Sequence, residues 1–322
     1  MDFDGKKLLL TGGTGSFGHA FVDAVTRTDD DFELTIMSRD EMKQWLMAQS
    51  CDDRIKFRIG DVRDKGRLLE LSRGVDHLVH AAATKIVPLA EVNPSECVKT
   101  NINGALNVIE ACFVNKVKSC IALSTDKACN PVNLYGATKL ASDKLFVSAG
   151  NQSIGSSSNT VFSVVRYGNV LGSRGSIVPF FRSIQEGPFP ITDERMTRFV
   201  LTLPQAVDLV LEAFKQSVGG EVFVKKLPSV FVTDIAKAID ASRDLKSIGI
   251  RPGEKLHEQM ITVEDAYSTV DMGSYFVIFP HESEVPERLK AHLVDDSFEY
   301  RSDTNAEWLN VAEIAKILEV VA

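Results

Sequence analysis

Short apolar runs recur along the first half of the chain, with amphipathic segments between them. KKLLL (6–10), ELTIMS (33–38), IKFRIG (55–60), HLVHAA (77–82) and CIALS (120–124) read as strands. His19 to Arg27 reads as a helix, and the longest helical pattern runs from about Pro94 to Val114. Short apolar strands separated by helices predict βαβ units and a parallel sheet. Right-handed crossovers make that an open, doubly wound α/β sheet of the Rossmann type.

NQSIGSSSNT (151–160) is polar and Ser-rich and predicts a loop; FSVVRYGNV (162–170) returns to strand. Beyond about Gly172 the alternation loosens, punctuated by Pro179, Pro188, Pro190 and Pro204. The expected division is a main domain over 1–171 and a smaller lobe over 172–322 that shares elements with the sheet.

Composition narrows the partners. The 322 residues are 44% hydrophobic and 25% charged, which suits such a domain pair and argues against disorder. A formal net charge of −8 disfavours nucleic acid or an anionic membrane as partner, so an anionic ligand would need a local basic cluster. Cys51, Cys97, Cys112, Cys120 and Cys129 have no CxxC spacing and fit reduced thiols in cytoplasm. No apolar run reaches the ~18 residues of a membrane span. MDFDGKKLLL enters a strand without the apolar stretch of a signal peptide. A soluble, cytoplasmic protein is expected. The six histidines form no HxxxH or HxH, so no metal site is expected.

TGGTGSFG (11–18) places Gly12, Gly15 and Gly18 between the first strand and first helix, with Thr14, Ser16 and Phe17 among them. Glycine lets backbone approach a pyrophosphate, and a helix N-terminus supplies N–H donors. The first 171 residues therefore read as a dinucleotide-binding domain. The second strand ends in Ser38-Arg39-Asp40, with Lys43 one turn later. An arginine there can grip a 2′-phosphate, so NADP is favoured; Asp40 keeps NAD open. Asp61-Val62 follows the third strand, where an adenine would lie, and Ala81-Ala82 ends the fourth with small side chains that let a dinucleotide cross.

Tyr135 and Lys139 stand four apart on a predicted helix and share a face. A phenol titrates near pH 10, and a nearby ammonium stabilises its phenolate. Tyr135 is thus a candidate base for a hydroxyl proton while hydride leaves the same carbon. Cys129, inside STDKACNP, has no evident base beside it and reads as a packed residue.

Together, TGGTGSFG, SRDE (38–41), GDVRD (60–64), HAAA (80–83), STDKACNP (124–131), YGATK (135–139), VVRYGNV (164–170) and GIRPGEKLHE (249–258) carry a resemblance over nearly the whole chain. The sequence resembles the extended short-chain dehydrogenases/reductases, and within them the C5-inverting UDP-N-acetylglucosamine 4,6-dehydratases that start pseudaminic acid biosynthesis. The resemblance implies oxidation at sugar carbon 4 with Tyr135 and Lys139, both also in contact with the cofactor. It implies water elimination across carbons 5 and 6, with Lys127 as base and Asp126 as acid, and hydride return to carbon 6. It also implies UDP-N-acetylglucosamine held by Asn169, Arg198, Arg251 and Glu254, Lys85 near the sugar or nicotinamide, and a homo-oligomer. GSRGS (172–176) adds Ser173 and Arg174 as a small-residue turn suited to phosphate.

Adjacent opposite charges favour the ionised forms of Asp126 and Lys127, whereas acid and base duty needs both neutral. Desolvation can push both that way, and the two can titrate as one pair. A UDP-sugar 4-epimerase on the same fold needs Tyr135 and Lys139 but no elimination pair. A membrane-anchored retaining dehydratase commonly has Met at the place of Tyr135. A non-catalytic NADP-binding regulatory protein needs none of these four side chains.

Overall fold

The structure, a computed structural model, describes residues 3–153, 159–281 and 284–321. β1 (Lys7–Thr11) buries Leu8, Leu9 and Leu10 completely or nearly so. Leu9 joins the core on one face of the sheet, and Leu8 and Leu10 join the core on the other. That two-sided burial needs a central strand with helices on both faces.

β2 (Glu33–Ser38) and β3 (Ile55–Ile59) lie to one side of β1. β4 (His77–His80), β5 (Ser119–Leu123) and β6 (Val161–Arg166) lie to the other, followed by Val222–Lys225, all parallel. Tyr275–Ile278 and Thr269–Asp271 finish that edge antiparallel, giving nine strands among the described residues. The order β3-β2-β1-β4-β5-β6 reverses its winding between β1 and β4, which opens a crevice at their carboxyl ends. Thr11 and His80 are register partners there, and Thr11 Oγ1 lies 2.9 Å from His80 Nδ1.

Several elements differ from their predicted spans. HLVHAA is strand only to His80, so Ala81 and Ala82 already belong to the loop over the crevice. The first helix spans Ser16–Val25 and starts directly from the glycine loop. The pattern from Pro94 to Val114 is two helices, Pro94–Val98 and Gly104–Asn115, joined by a π-type turn over Lys99–Asn103. FSVVRYGNV is not one strand. β6 stops at Arg166, and Asn169–Val170 pairs with Thr197–Leu201 in a separate small sheet. A side chain on Gly168 would lie 2.6 Å from Phe199, so the chain can turn there only because that side chain is absent. Asn151–Ser153, predicted as loop, end the helix Leu134–Ser153; residues 154–158 of that predicted loop lie outside the described residues.

The C-terminal part has its own core of Val178, Phe181, Phe189, Ile191, Val230, Ile235, Ile314 and Leu318. It also returns elements to the main sheet: the helix Leu203–Gln216 buries Val207, Val210 and Phe214 in the core behind β1. The lobe is therefore tied to the sheet by strands and a helix, which fixes its face over the crevice. Among the described residues no helix is long and apolar enough to cross a membrane.

Candidate active site

The glycine loop sits at the switch point. Gly12 has φ +70, and a side chain there would lie 2.8 Å from the backbone of Ala82. The loop therefore touches the end of β4 directly, across the crevice. Gly15 begins the helix Ser16–Val25 in extended conformation with no side chain capping it, which leaves first-turn N–H groups for a ligand. Thr14 is buried, and Phe17 stacks on Phe21 to hold the helix down. These features fit a dinucleotide pyrophosphate.

At the end of β2, Ser38 is buried and Arg39 exposed. Gln44 Nε2 donates to the Ser38 carbonyl (3.0 Å), Ser38 Oγ (3.0 Å) and the Arg58 carbonyl (2.9 Å), fixing this corner. Asp40 is occupied otherwise. Its carboxylate caps the helix Glu41–Ala48 through Lys43 N–H (3.0 Å) and pairs with Lys43 Nζ (3.1 Å). Asp61 is engaged by Arg63 Nε at 2.9 Å, and Val62 is buried against Gly104.

Arg174, expected at a phosphate, and Lys85, expected near the sugar or nicotinamide, meet over the glycine loop. Arg174 N–H donates to Ser16 Oγ (3.1 Å), its guanidinium reaches His19 Nε2 (3.4 Å), and Lys85 Nζ donates to its carbonyl (3.2 Å). Ser173 closes its own turn by donating to the Val170 carbonyl. Arg174 and Lys85 are thus placed on the glycine-loop side of the cleft.

The candidate reaction centre is built on a short turn, Asp126–Ala128, after β5. Asp126 N–H donates to the Tyr167 carbonyl (3.1 Å), and Thr125 Oγ1 donates to Asp126 Oδ1 (2.9 Å). Lys127 Nζ donates to the same oxygen at 2.9 Å. Tyr135 and Lys139 lie one turn apart on the helix Leu134–Ser153, both buried; Tyr135 packs on Ala90 and Cys97. The four side chains expected to act together are therefore gathered within this turn and helix.

Two residues that the sequence reading missed hold this arrangement. Asn101, on the π-type turn, accepts from Thr84 N–H (2.8 Å) and donates to the Thr84 carbonyl (3.0 Å) and Thr138 Oγ1 (3.0 Å). It joins the segment after β4 to the helix of Tyr135. Its only sequence signal was an asparagine in an otherwise helical stretch. Glu258, within GIRPGEKLHE, is 2% exposed, and its Oε1 lies 3.4 Å from Lys127 Nζ and 3.7 Å from Arg198 Nε.

Charge at the centre follows from burial and these neighbours. Burial pushes the Asp126 carboxyl up, and Glu258 adds to that against the pull of Lys127. Burial opposes the charge on Lys127, but Asp126 and Glu258 outweigh it and hold its ammonium above the usual lysine range. Burial pushes the Tyr135 phenol up to about 12, and Lys127 and a hydrogen bond with Thr125 pull the other way. Lys127 is thus one cation that acts on the phenol, and the Lys139 ammonium on the same helix is itself lowered by burial. Burial raises Cys129 to about 11, which keeps its thiol protonated near neutrality.

From the C-terminal part, Gly253 packs on Asn133, and Asn133 Nδ2 donates to the Gly253 carbonyl (2.8 Å), so the 249–258 loop lies against the start of the Tyr135 helix. Arg251 and Glu254 pair with each other on that loop. Arg198 spends its guanidinium on the carbonyls of Thr197 (2.7 Å), Leu256 (3.1 Å) and Lys255 (3.1 Å). Asn169 Oδ1 is buried without a hydrogen-bond partner.

A doubly wound sheet, a glycine loop at its switch point and Tyr135 and Lys139 on the helix after β5 define an extended short-chain dehydrogenase/reductase. A family profile described as "Polysaccharide biosynthesis protein" matches residues 8–280, and the chain belongs to that family. It is 50% identical, over 98% of both chains, to the UDP-N-acetylglucosamine 4,6-dehydratase (inverting) of Campylobacter jejuni subsp. jejuni serotype O:23/36 (strain 81-176). A UDP-glucose 4-epimerase of Rickettsia bellii (strain RML369-C) is 42% identical over 86% of this chain and 83% of its own. Among solved structures, Pen from Bacillus thuringiensis matches 100% of both chains with TM-score 0.91 at 33% identity. DesIV, a dTDP-glucose 4,6-dehydratase from Streptomyces venezuelae with NAD and TYD bound, shares the fold at TM-score 0.70 and 20% identity, over 78% and 86% of the two chains.

Proposed function

We propose that the protein is a UDP-N-acetylglucosamine 4,6-dehydratase that inverts carbon 5, giving UDP-2-acetamido-2,6-dideoxy-beta-L-arabino-hex-4-ulose. The observation that carries this reading is the part-buried contact of 2.9 Å between Lys127 Nζ and the buried Asp126 Oδ1, whose charges both act on Tyr135. Simple oxidation or epimerisation at carbon 4 has no use for a second acid and base.

A nicotinamide dinucleotide bound along the Gly12–Gly18 loop would supply an acceptor for the carbon 4 hydride and return it to carbon 6. Tyr135 takes the carbon 4 hydroxyl proton as its phenolate; burial raises the phenol to about 12, so that form depends on the opposing pull of Lys127 and Thr125. The resulting ketone acidifies the proton on carbon 5. Transfer of one proton from Lys127 Nζ to Asp126 Oδ1 turns the ion pair into a neutral amine and a carboxylic acid. Burial of Asp126 favours that neutral form. The amine removes the carbon 5 proton and the acid protonates the departing hydroxyl of carbon 6. Once hydride has returned to carbon 6, a solvent-derived proton added to the opposite face of carbon 5 inverts it, while the carbon 5 proton on Lys127 restores the resting ammonium–carboxylate pair and Tyr135 gives its proton to solvent.

Because Asp40 is committed to its helix cap, Arg39 is the side chain left at the β2 corner for a ribose phosphate, which supports NADP over NAD. The unpartnered Asn169 Oδ1 supports a substrate contact at the lobe. We include a homo-oligomer in the reading, supported by the exposed Leu89 and Val92 on the helix Val87–Val92. Five free cysteines support a cytoplasmic setting.

The test is proton NMR of UDP-N-acetylglucosamine with the protein and NADP in D2O. A new methyl signal, deuterium at carbon 5 and couplings of an L-arabino 4-keto sugar are expected. D-xylo couplings would keep dehydration but reject inversion, and UDP-N-acetylgalactosamine without a methyl signal would replace the reading with epimerisation.

A further inference from the structure

Glu258 has no part in the steps above, yet it is nearly as enclosed as Asp126. Its side chain is 3% exposed, against 1% for Asp126. Three cations converge on it from three segments: Lys127 Nζ at 3.4 Å from the turn after β5, Arg198 Nε at 3.7 Å from the strand Thr197–Leu201, and Lys255 Nζ at 3.9 Å from its own loop. Its backbone is fixed too. Glu258 N–H donates to Ser302 Oγ (2.9 Å), and Ser302 N–H donates to the Glu258 carbonyl (2.9 Å).

One oxygen on each carboxylate is left over. Asp126 Oδ2 and Glu258 Oε2 are both buried without a hydrogen-bond partner. Lys127 therefore stands between two carboxylates, hydrogen-bonded to Asp126 and 3.4 Å from Glu258, and a half-buried ammonium so placed takes its position from both. With Asp126 alone, a proton passed from Lys127 to Asp126 would remove the ion pair that holds the lysine, and the amine would be free to swing. With Glu258 behind it, the nitrogen keeps an anionic acceptor throughout, and Glu258 keeps Arg198 and Lys255 as counter-charges.

We propose that Glu258 is the positioning residue of the elimination pair: it holds Lys127 at the cleft and sets the pH range in which Asp126 and Lys127 share a single proton. The proposal rests on the elimination roles given to those two residues. The charged and titratable groups that face them are Tyr135 from the catalytic helix, Arg198, Lys255 and Cys129.

The sign follows from charge. The active pair carries one proton, so activity falls on the acid side when a second proton binds and on the alkaline side when the last one leaves. Removing the Glu258 charge lowers both affinities for a proton, so both limbs move to lower pH, by about one unit for a charge at this distance.

The experiment measures kcat and KM against pH for wild type, Glu258→Gln and Glu258→Asp, with thermal unfolding as the check on folding. For Glu258→Gln, both limbs should shift down together, kcat should fall about tenfold with KM little changed, and the first reduction of bound cofactor should keep its rate. Glu258→Asp should restore the wild-type limbs. If the Gln variant keeps the wild-type limbs and loses only amplitude or stability, the proposal is wrong. Should that variant fail to fold, Lys255→Met supplies the converse: with less counter-charge on Glu258, both limbs should move to higher pH, and unmoved limbs overturn the proposal. Failure of the elimination reading is separate, because wild type would then make no dehydrated product, or Lys127→Ala would make it at the normal rate.

Discussion

The carbonyl oxygen of Lys127 lies 2.2 Å from where a Cβ on Gly136 would be. The helix that carries Tyr135 and Lys139 is thus pressed onto the turn that carries Asp126 and Lys127, and the missing side chain sets the spacing between the two pairs. Alanine normally stabilises a helix interior relative to glycine by about 1 kcal/mol. Here the obstacle is backbone, which cannot rotate away. Gly136→Ala should therefore destabilise the protein by about 2 kcal/mol in urea unfolding and lower turnover more than cofactor affinity. A stabilised variant would mean that helix and turn can separate.

Oxidation and elimination should come apart by mutation. Tyr135→Phe keeps the ring packed on Ala90 and Cys97 and removes only the hydroxyl. It should abolish hydride transfer, read as nicotinamide absorbance, while calorimetric NADP binding stays near wild type. Lys127→Ala should still reduce bound NADP and then stall, with no methyl signal in product NMR. Dehydrated product at a normal rate from Lys127→Ala removes that lysine as the base.

Cofactor choice should turn on Arg39. With Asp40 held by its cap, Arg39→Asp should weaken NADP by about tenfold, or about 1.4 kcal/mol, and leave NAD binding little changed. Titration calorimetry with both cofactors reads this directly, and equal affinities in the wild type would reject the NADP preference.

His80 makes the fold sensitive to acid. Burial, helped by Lys139, pushes its pKa down to about 3 from an ordinary 6.5. The unfolded chain therefore takes up the proton first as pH falls, so this stability is present above about pH 6.5 and is lost progressively toward pH 3. Between pH 7 and pH 4 the loss through this one group is about 3 kcal/mol. His80→Gln, which can still meet Thr11, should have a flatter dependence in urea titrations at those two pH values. An unchanged slope would place the acid sensitivity elsewhere.

How much of this was legible beforehand divides by distance along the chain. The parallel strands, the glycine loop and the shared face of Tyr135 and Lys139 are visible in the sequence because each depends on local periodicity or on a few neighbouring residues. The break at Gly168 and the split near Asn101 were not, because both answer to residues packed from elsewhere: Phe199 in the first case, Thr84 and Thr138 in the second.

The sequence by itself determined the fold class and the kinds of chemical group present, since apolar spacing selects strand or helix and side-chain type is covalent. Tertiary structure alone decided who partners whom. It set Arg174 over Ser16 across 158 residues of chain, spent Arg198 on the carbonyls of Leu256 and Lys255 and brought Glu258 to Lys127. A charge acts on whatever lies within a few ångströms of it, and that neighbourhood is fixed only when remote segments pack.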